Sequence, residues 1–153
     1  MNTVNDLIEK QRALNAPPPP APSKLQKLIA KQREWVDNRW ETVPVVLASE
    51  VVEVALGRIS GQVWCRLESI HPPRAQADIE LRYDRLGLPR DYPAERIKLN
   101  GDLTTEETWR DLYDLLGPDD RTNVAAVMWG INVGEPSELL ERLKRKRVES
   151  KKR

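Results

Sequence analysis

The order of apolar and polar positions divides the chain into helical and extended stretches. Residues 3–15 carry Leu7, Ile8 and Leu14 as apolar positions and Thr3 or Asn5 as a cap, which predicts a short helix. Pro17 to Pro20 and Pro22 follow. Proline has no amide donor and a fixed φ, so this stretch predicts a polyproline-like spacer, with a weak SH3-ligand character. Ser23 is a good N-cap for a second helix over 24–40. Its apolar residues Leu25, Leu28, Ile29, Trp35, Val36 and Trp40 fall mostly along one face, and Gln32 interrupts the stripe. Leu7-Ile8-Glu9-Lys10-Gln11-Arg12 recurs as Leu28-Ile29-Ala30-Lys31-Gln32-Arg33. Two such copies across a spacer suit two equivalent grooves by effective concentration, although helix-friendly residues also converge by chance.

From Val43 the period changes to two. Val52, Val54 and Leu56 alternate with polar or small neighbours, and Val63, Cys65 and Leu67 alternate with Trp64, Arg66 and Glu68. Gly57 and Gly61 stand at the ends of the loop between them, so the reading is a β-hairpin with Cys65 on its apolar face. Ile70 to Arg74 breaks the pattern, and 76–86 predicts a helix on Ile79, Tyr83 and Leu86. Pro89 and Pro93 bracket a loop around Asp91-Tyr92, and Arg96–Asn100 predicts a short strand ending at Gly101.

The last third reads as helices. Thr104 with Glu107 predicts a capping box ahead of Trp109, Leu112, Tyr113 and Leu116, and Gly117-Pro118 ends that helix. Asp119 or Asp120 is the expected cap of the next one, on Val124, Val127, Met128 and Ile131. The two are expected to pack as an antiparallel pair against the hairpin's apolar face. Gly134 and Pro136 are expected to close this unit, with Ser137 capping a final basic helix that holds Leu139, Leu140 and Leu143. The fold class expected is α+β: a small β-hairpin or sheet packed with a C-terminal antiparallel helix pair, plus an N-terminal helical arm. The segments are a helical, proline-rich arm at 1–22, an amphipathic helix at 23–42, an α+β core at 43–136 and a basic C-terminal helix or tail at 137–153.

Composition narrows the function. The chain has 153 residues, 25 Lys+Arg and 24 Asp+Glu, with no Phe, five Trp and three Tyr. Its uncharged stretches are far shorter than the roughly 20 apolar residues a membrane helix needs, and Asp6, Glu9, Lys10 and Arg12 stand where a secretion signal needs an apolar run. A single cysteine and a single histidine make neither an internal disulfide nor a Cys/His zinc site, and a reducing cytoplasm is expected. The near-neutral total hides a division of charge, because eight of the last twelve residues are basic. Arg142, Lys144, Arg145, Lys146 and Arg147 form the densest part. They offer a nucleic-acid or acidic-surface contact, or simply a solvated helix end.

Candidate chemistry is sparse. His71 precedes two prolines with no second histidine, which reads as a loop residue. Glu106-Glu107 and Asp119-Asp120 are explained by helix N-terminal dipoles, and Gly57 and Gly61 lack the Lys-Ser/Thr of a phosphate loop. An enzyme is not expected, nor any metal or cofactor. The aromatic residues lie mostly apart from the basic cluster, which argues against a base-stacking platform.

The hairpin, His71-Pro72-Pro73-Arg74, Asp91-Tyr92-Pro93, Gly101, Thr108-Trp109, Asn123-Val124 and Trp129-Gly130-Ile131-Asn132 together resemble the tail assembly chaperones of long-tailed, siphovirus-type bacteriophages of actinobacteria. The resemblance spans about Glu50 to Pro136 and leaves residues 1–49 unmatched. It implies a non-enzymatic factor in the host cytoplasm that binds the tape measure protein during viral tail assembly and is absent from the mature virion. It also implies partners in the tail tube subunits and in a longer form of the same chain made by programmed frameshift, for which Lys151-Lys152 would suit a slippery codon run. A homo-oligomer is a further option. Leu25, Leu28, Ile29, Trp35 and Trp40 are the partner-binding candidates, because anchors at i, i+3 and i+4 are what a helix-in-groove contact uses. The same stripe would equally pack that helix onto its own domain. The alternatives are a small nucleic-acid-binding regulatory protein using the basic tail, or a minor tail or connector protein.

Overall fold

The computed structural model describes residues 3–15 and 17–152. The chain forms two compact units, residues 1–32 and residues 33–153. The first holds α1 (Val4–Asn15), the proline spacer and the start of α2 (Lys24–Asn38). Both helices begin where side chains meet the orphan amides. Thr3 Oγ1 accepts from the Asp6 amide at 3.4 Å while Asp6 returns a carboxylate to the Thr3 amide at 3.1 Å. Ser23 and Gln26 make the same reciprocal pair at 3.1 and 2.8 Å. Neither helix buries a residue.

The second unit is a mixed α+β body around a four-stranded antiparallel sheet in the order β1 (Trp40–Leu47), β2 (Glu50–Gly57), β3 (Ile97–Leu99), β4 (Asp102–Leu103). The expected hairpin of 52–56 with 63–67 is replaced by β1 with β2, in the register Val43↔Val54 and Val45↔Val52. Residues 61–70 are instead a helix, α3 (Gly61–Ile70), capped by Ser60, whose Oγ accepts from the Val63 amide at 3.3 Å. The reason is an ambiguity of period. Val63 and Leu67 lie two strand steps apart, but they are also i and i+4 of a helix, and the helix turns Trp64 and Leu67 into the core. Cys65 consequently lies exposed, not on an apolar inner face.

Alternation puts Val43, Val45, Val54 and Leu56 on the buried face of the sheet, and Val46 and Val51 opposite each other on the exposed face. The hairpin closes through Ala48 and Ser49, both at positive φ (48° and 69°), the backbone of a two-residue mirror-image turn. A second such turn at Asn100-Gly101 (φ 50° and 89°) joins β3 to β4, a strand the sequence reading did not foresee. At the free edge of β1 the outward positions are 40, 42, 44 and 46. Pro44 has no amide to offer, and the Val46 amide donates to Asp120 Oδ2 at 2.9 Å.

The 76–86 segment is not the helix its periodicity suggests, but a three-residue 3-10 turn (Gln76–Asp78) followed by irregular chain. Asp78 explains it. Its buried carboxylate accepts from the amides of Arg74, Ala75 and Arg85 at 3.2, 3.1 and 3.4 Å, winding the backbone around itself in place of a helical ladder. Helix α4 (Glu106–Leu115) starts one residue later than expected. Thr105, not Thr104, is the cap, with Oγ1 accepting from the Thr108 amide at 3.2 Å. Helix α5 (Pro118–Trp129) is entered through Gly117 with Pro118 in its first turn; neither Asp119 nor Asp120 caps it, and Asp120 serves β1 instead. The chain does not break at Gly134 and Pro136. A π-turn over Gly130–Gly134 carries α5 directly into α6 (Glu135–Lys151), where Pro136 sits in the first turn and Ser137 caps nothing. Pro lacks only an amide that the first turn would leave unpaired, so it is accommodated there.

Helix α4 docks on the 3-10 turn Leu88–Asp91, and α5 lies against β1 and that same turn. Their inner faces supply Trp109, Leu112 and Tyr113, then Val124 and Met128, to a core completed by the sheet, by Trp64 and Leu67, and by Tyr83, Leu88 and Tyr92 of the long connection. Arg96 joins the parts. Its guanidinium caps the α2 carbonyls of Val36 and Asp37 at 3.0 and 3.1 Å, donates to Arg58 O at 3.0 Å and lies 4.3 Å over the Trp40 ring.

Candidate functional site

The small signatures scattered between Glu50 and Pro136 meet in space, and what they build is a brace. His71 Nε2 lies 2.8 Å from Asp91 Oδ2. The other oxygen of Asp91 takes Arg110 Nη2 at 2.8 Å, and Arg110 also reaches Glu106 at 2.7 Å. His71, read from the sequence as a loop residue, packs its ring from the end of α3 against Asp91 of the 88–91 turn, the carboxylate that Arg110 links to α4. Next door, the Tyr92 hydroxyl donates to Gly57 O at 2.6 Å and accepts from Asn132 Nδ2 at 2.9 Å. Asn132 also accepts from the Ile59 amide at 3.0 Å and donates to Met128 O at 2.8 Å. Trp109 Nε1 donates to Pro89 O at 2.8 Å. Five segments meet through these contacts; the two that are fully buried, Tyr92 to Gly57 O and Trp109 to Pro89 O, would each leave a buried group unpaired if broken, at a cost of about 1–3 kcal/mol.

The electrostatics of these groups fit the same role. Burial pushes the Tyr92 hydroxyl up to about 12, against the smaller opposing pull of its Asn132 bond and of Arg96. Burial also works to raise Asp78, but its three amide bonds and Arg85 outweigh it and hold the carboxyl below the ordinary value. Glu135 is lowered by the hydrogen bonds of Arg39, whose Nε approaches both of its oxygens at 3.1 and 3.0 Å, fastening the start of α6 beside β1. Among the described residues no three His, Cys, Asp or Glu side chains cluster so as to hold a metal ion.

The partner-binding candidates fall in two different settings. Leu25, Leu28, Ile29 and Trp35 sit on α2 with 65%, 53%, 44% and 50% of their surfaces exposed. Trp40 does not share their helix, because α2 ends at Asn38. It opens β1, half-buried, with Arg96 and Lys98 at 4.3 and 4.5 Å over its ring and its Nε1 donating to Asp37 O at 3.2 Å. Its work is to fasten the end of α2. The basic candidates Arg142, Lys144, Arg145, Lys146 and Arg147 are all exposed along α6, with Lys144 3.7 Å from Glu141; Arg153 lies outside the described residues. Leu139, Leu140 and Leu143 of the same helix are also exposed.

Two surfaces were not anticipated. One is the Val46–Val51 pair beside the hairpin turn. The other is an apolar groove of about 290 Å3 between the 81–86 segment and α5, floored by Ala125 and Ala126 and walled by Leu81, Tyr83, Leu86 and Trp129. Neither has a periodic signal; each needs the β1–β2 register or the path of the 70–96 connection to be known first. Compared with known protein families, curated proteins and solved structures, the chain matches none. No helix among the described residues is long and apolar enough to cross a membrane.

Proposed function

We propose that the chain is a tail assembly chaperone of the siphovirus type it resembles: a non-enzymatic holder of a tape measure protein in the host cytoplasm, acting before tail tube subunits close around that client and leaving before the virion is complete. The observation that carries this reading is the exposure of six large aliphatic side chains in the first unit. Leu7, Ile8 and Leu14 on α1 and Leu25, Leu28 and Ile29 on α2 are 44–85% exposed, on helices that bury no residue. Covering one such side chain is worth about 1.5–3 kcal/mol, so a client helix laid along them gains affinity without any bond being made or broken. The braced body supports the reading in a second way, since its signature residues serve shape and leave the exposed helices to recognition.

The test is co-expression with the tape measure protein. Leu28→Ser with Ile29→Ser is expected to weaken client capture by at least about a hundredfold, from the burial lost, with an unchanged circular dichroism melt. A client that remains soluble and assembles normally without this chain removes the proposal. Removal of the basic residues 142–153 separates the nucleic-acid alternative: it leaves client capture in place under the chaperone reading and abolishes a salt-dependent RNA or DNA shift under the other.

A further inference from the structure

The repeated hexapeptide has a three-dimensional meaning that the helices make explicit, and α6 carries a third version of it. Leu7-Ile8-Glu9-Lys10-Gln11-Arg12, Leu28-Ile29-Ala30-Lys31-Gln32-Arg33 and Leu139-Leu140-Glu141-Arg142-Leu143-Lys144 all lie on exposed helix. A helix turns about 100° per residue, so the first, second and fifth positions make one seam, aliphatic apart from Gln11 and Gln32. The fourth and sixth positions then fall roughly 90–110° to either side of it. Both are basic in every version: Lys10 and Arg12, Lys31 and Arg33, Arg142 and Lys144. The third position, Glu9 or Glu141 where it is acidic, lies at the back, as do Asp6 and Glu138 just before two of the versions. Charges at the borders of an apolar seam are those that meet the bordering charges of a partner helix.

We propose that these three helices recognise acidic amphipathic helices, in which leucine-like anchors are bordered by Glu or Asp. This rests on the chaperone reading only for the identity of the client; the chemistry of the partner follows from the seams. A protein helix fits better than the other anionic partners. Apart from Trp35 on α2, the seams present Leu and Ile, which offer a nucleic acid no stacking face. A lipid surface calls for a strongly cationic outer face, whereas α1 turns Asp6 and Glu9 outward opposite its seam.

The experiment titrates the full chain with three synthetic helical peptides: leucine-seamed with Glu borders, leucine-seamed with Lys borders, and Glu-bordered with alanine in place of leucine. The first is expected to bind at least about tenfold more tightly than either of the others. Replacing the six border residues by Glu reverses the preference, and replacing them by Gln, which keeps helix propensity, abolishes it. Equal binding of the acid and base peptides, or equal binding of the alanine peptide, overturns the inference, as does stronger binding of poly(U) RNA or phosphatidylglycerol vesicles than of the first peptide. A tape measure protein that is captured with no preference for acidic segments sinks this inference and leaves the chaperone reading standing. The preference without tape-measure capture does the reverse.

Discussion

At the scale of single residues, the two mirror-image turns make a natural comparison. Asn100-Gly101 uses the residues that tolerate positive φ, and the asparagine adds Oδ1 as acceptor for the Glu53 amide at 2.9 Å. Ala48-Ser49 holds the same backbone signs with a Cβ at both positions, which costs on the order of 1 kcal/mol at each. Ala48→Asn with Ser49→Gly is therefore expected to stabilise the body by about 1–2 kcal/mol, read as a raised thermal midpoint. The turn chemistry also marks what a sequence conveys at this scale. Asn-Gly is a hairpin signal, yet the sequence reading ended its strand there and missed β4; Ala-Ser announces nothing, and β1 stayed hidden behind that silence. Asp78 is the converse case, a residue whose three amide bonds overrule a helical period that its neighbours really have.

At the scale of elements, strongly periodic helices were read well and their ends less well. Helices α1 and α2 follow their capping residues to within a residue or two. In α4 two adjacent threonines compete, and the capping-box spacing to Glu107 points to Thr104; the backbone instead places Thr105 in extended conformation with its hydroxyl on the Thr108 amide. Thr105→Ala is expected to lower stability by about 1 kcal/mol and Thr104→Ala by a few tenths at most, as measured by urea denaturation. Helix α3 was misread because a five-residue alternation that includes an i, i+4 pair satisfies both periods. The π-turn at Gly130–Gly134 lies beyond any such pattern. A Cβ on Gly134 would come within 2.9 Å of the Trp129 ring, so this glycine is where helix and indole pass each other closely, in a way the sequence alone does not encode.

At the scale of the whole molecule, the buried core falls within one of the two units. Among the described residues, every member of the buried core lies between Val43 and Ile131, so none belongs to the first unit. Deleting residues 1–32 is accordingly expected to leave the thermal midpoint of the body unchanged within error while removing the capture of an acidic helix by α1 and α2. The candidate site was legible to the same extent as the elements that bear it. Leu25, Leu28 and Ile29 stood out because their helix is periodic, whereas Trp40 misled because aromatic residues fit a stripe and a strand end equally well. The signature residues His71, Asp91, Tyr92, Trp109 and Asn132 were noticed as an ordered set, but only their convergence shows that they are joinery.

The sealed border of β1 has a consequence of its own. The commonest failure of small sheets is the stacking of one copy's strand on the next into an endless ribbon. Here an imino ring and a borrowed carboxylate leave a newcomer strand too few hydrogens to grip along that rim. Strand addition along this border is weakened at two of its four outward positions.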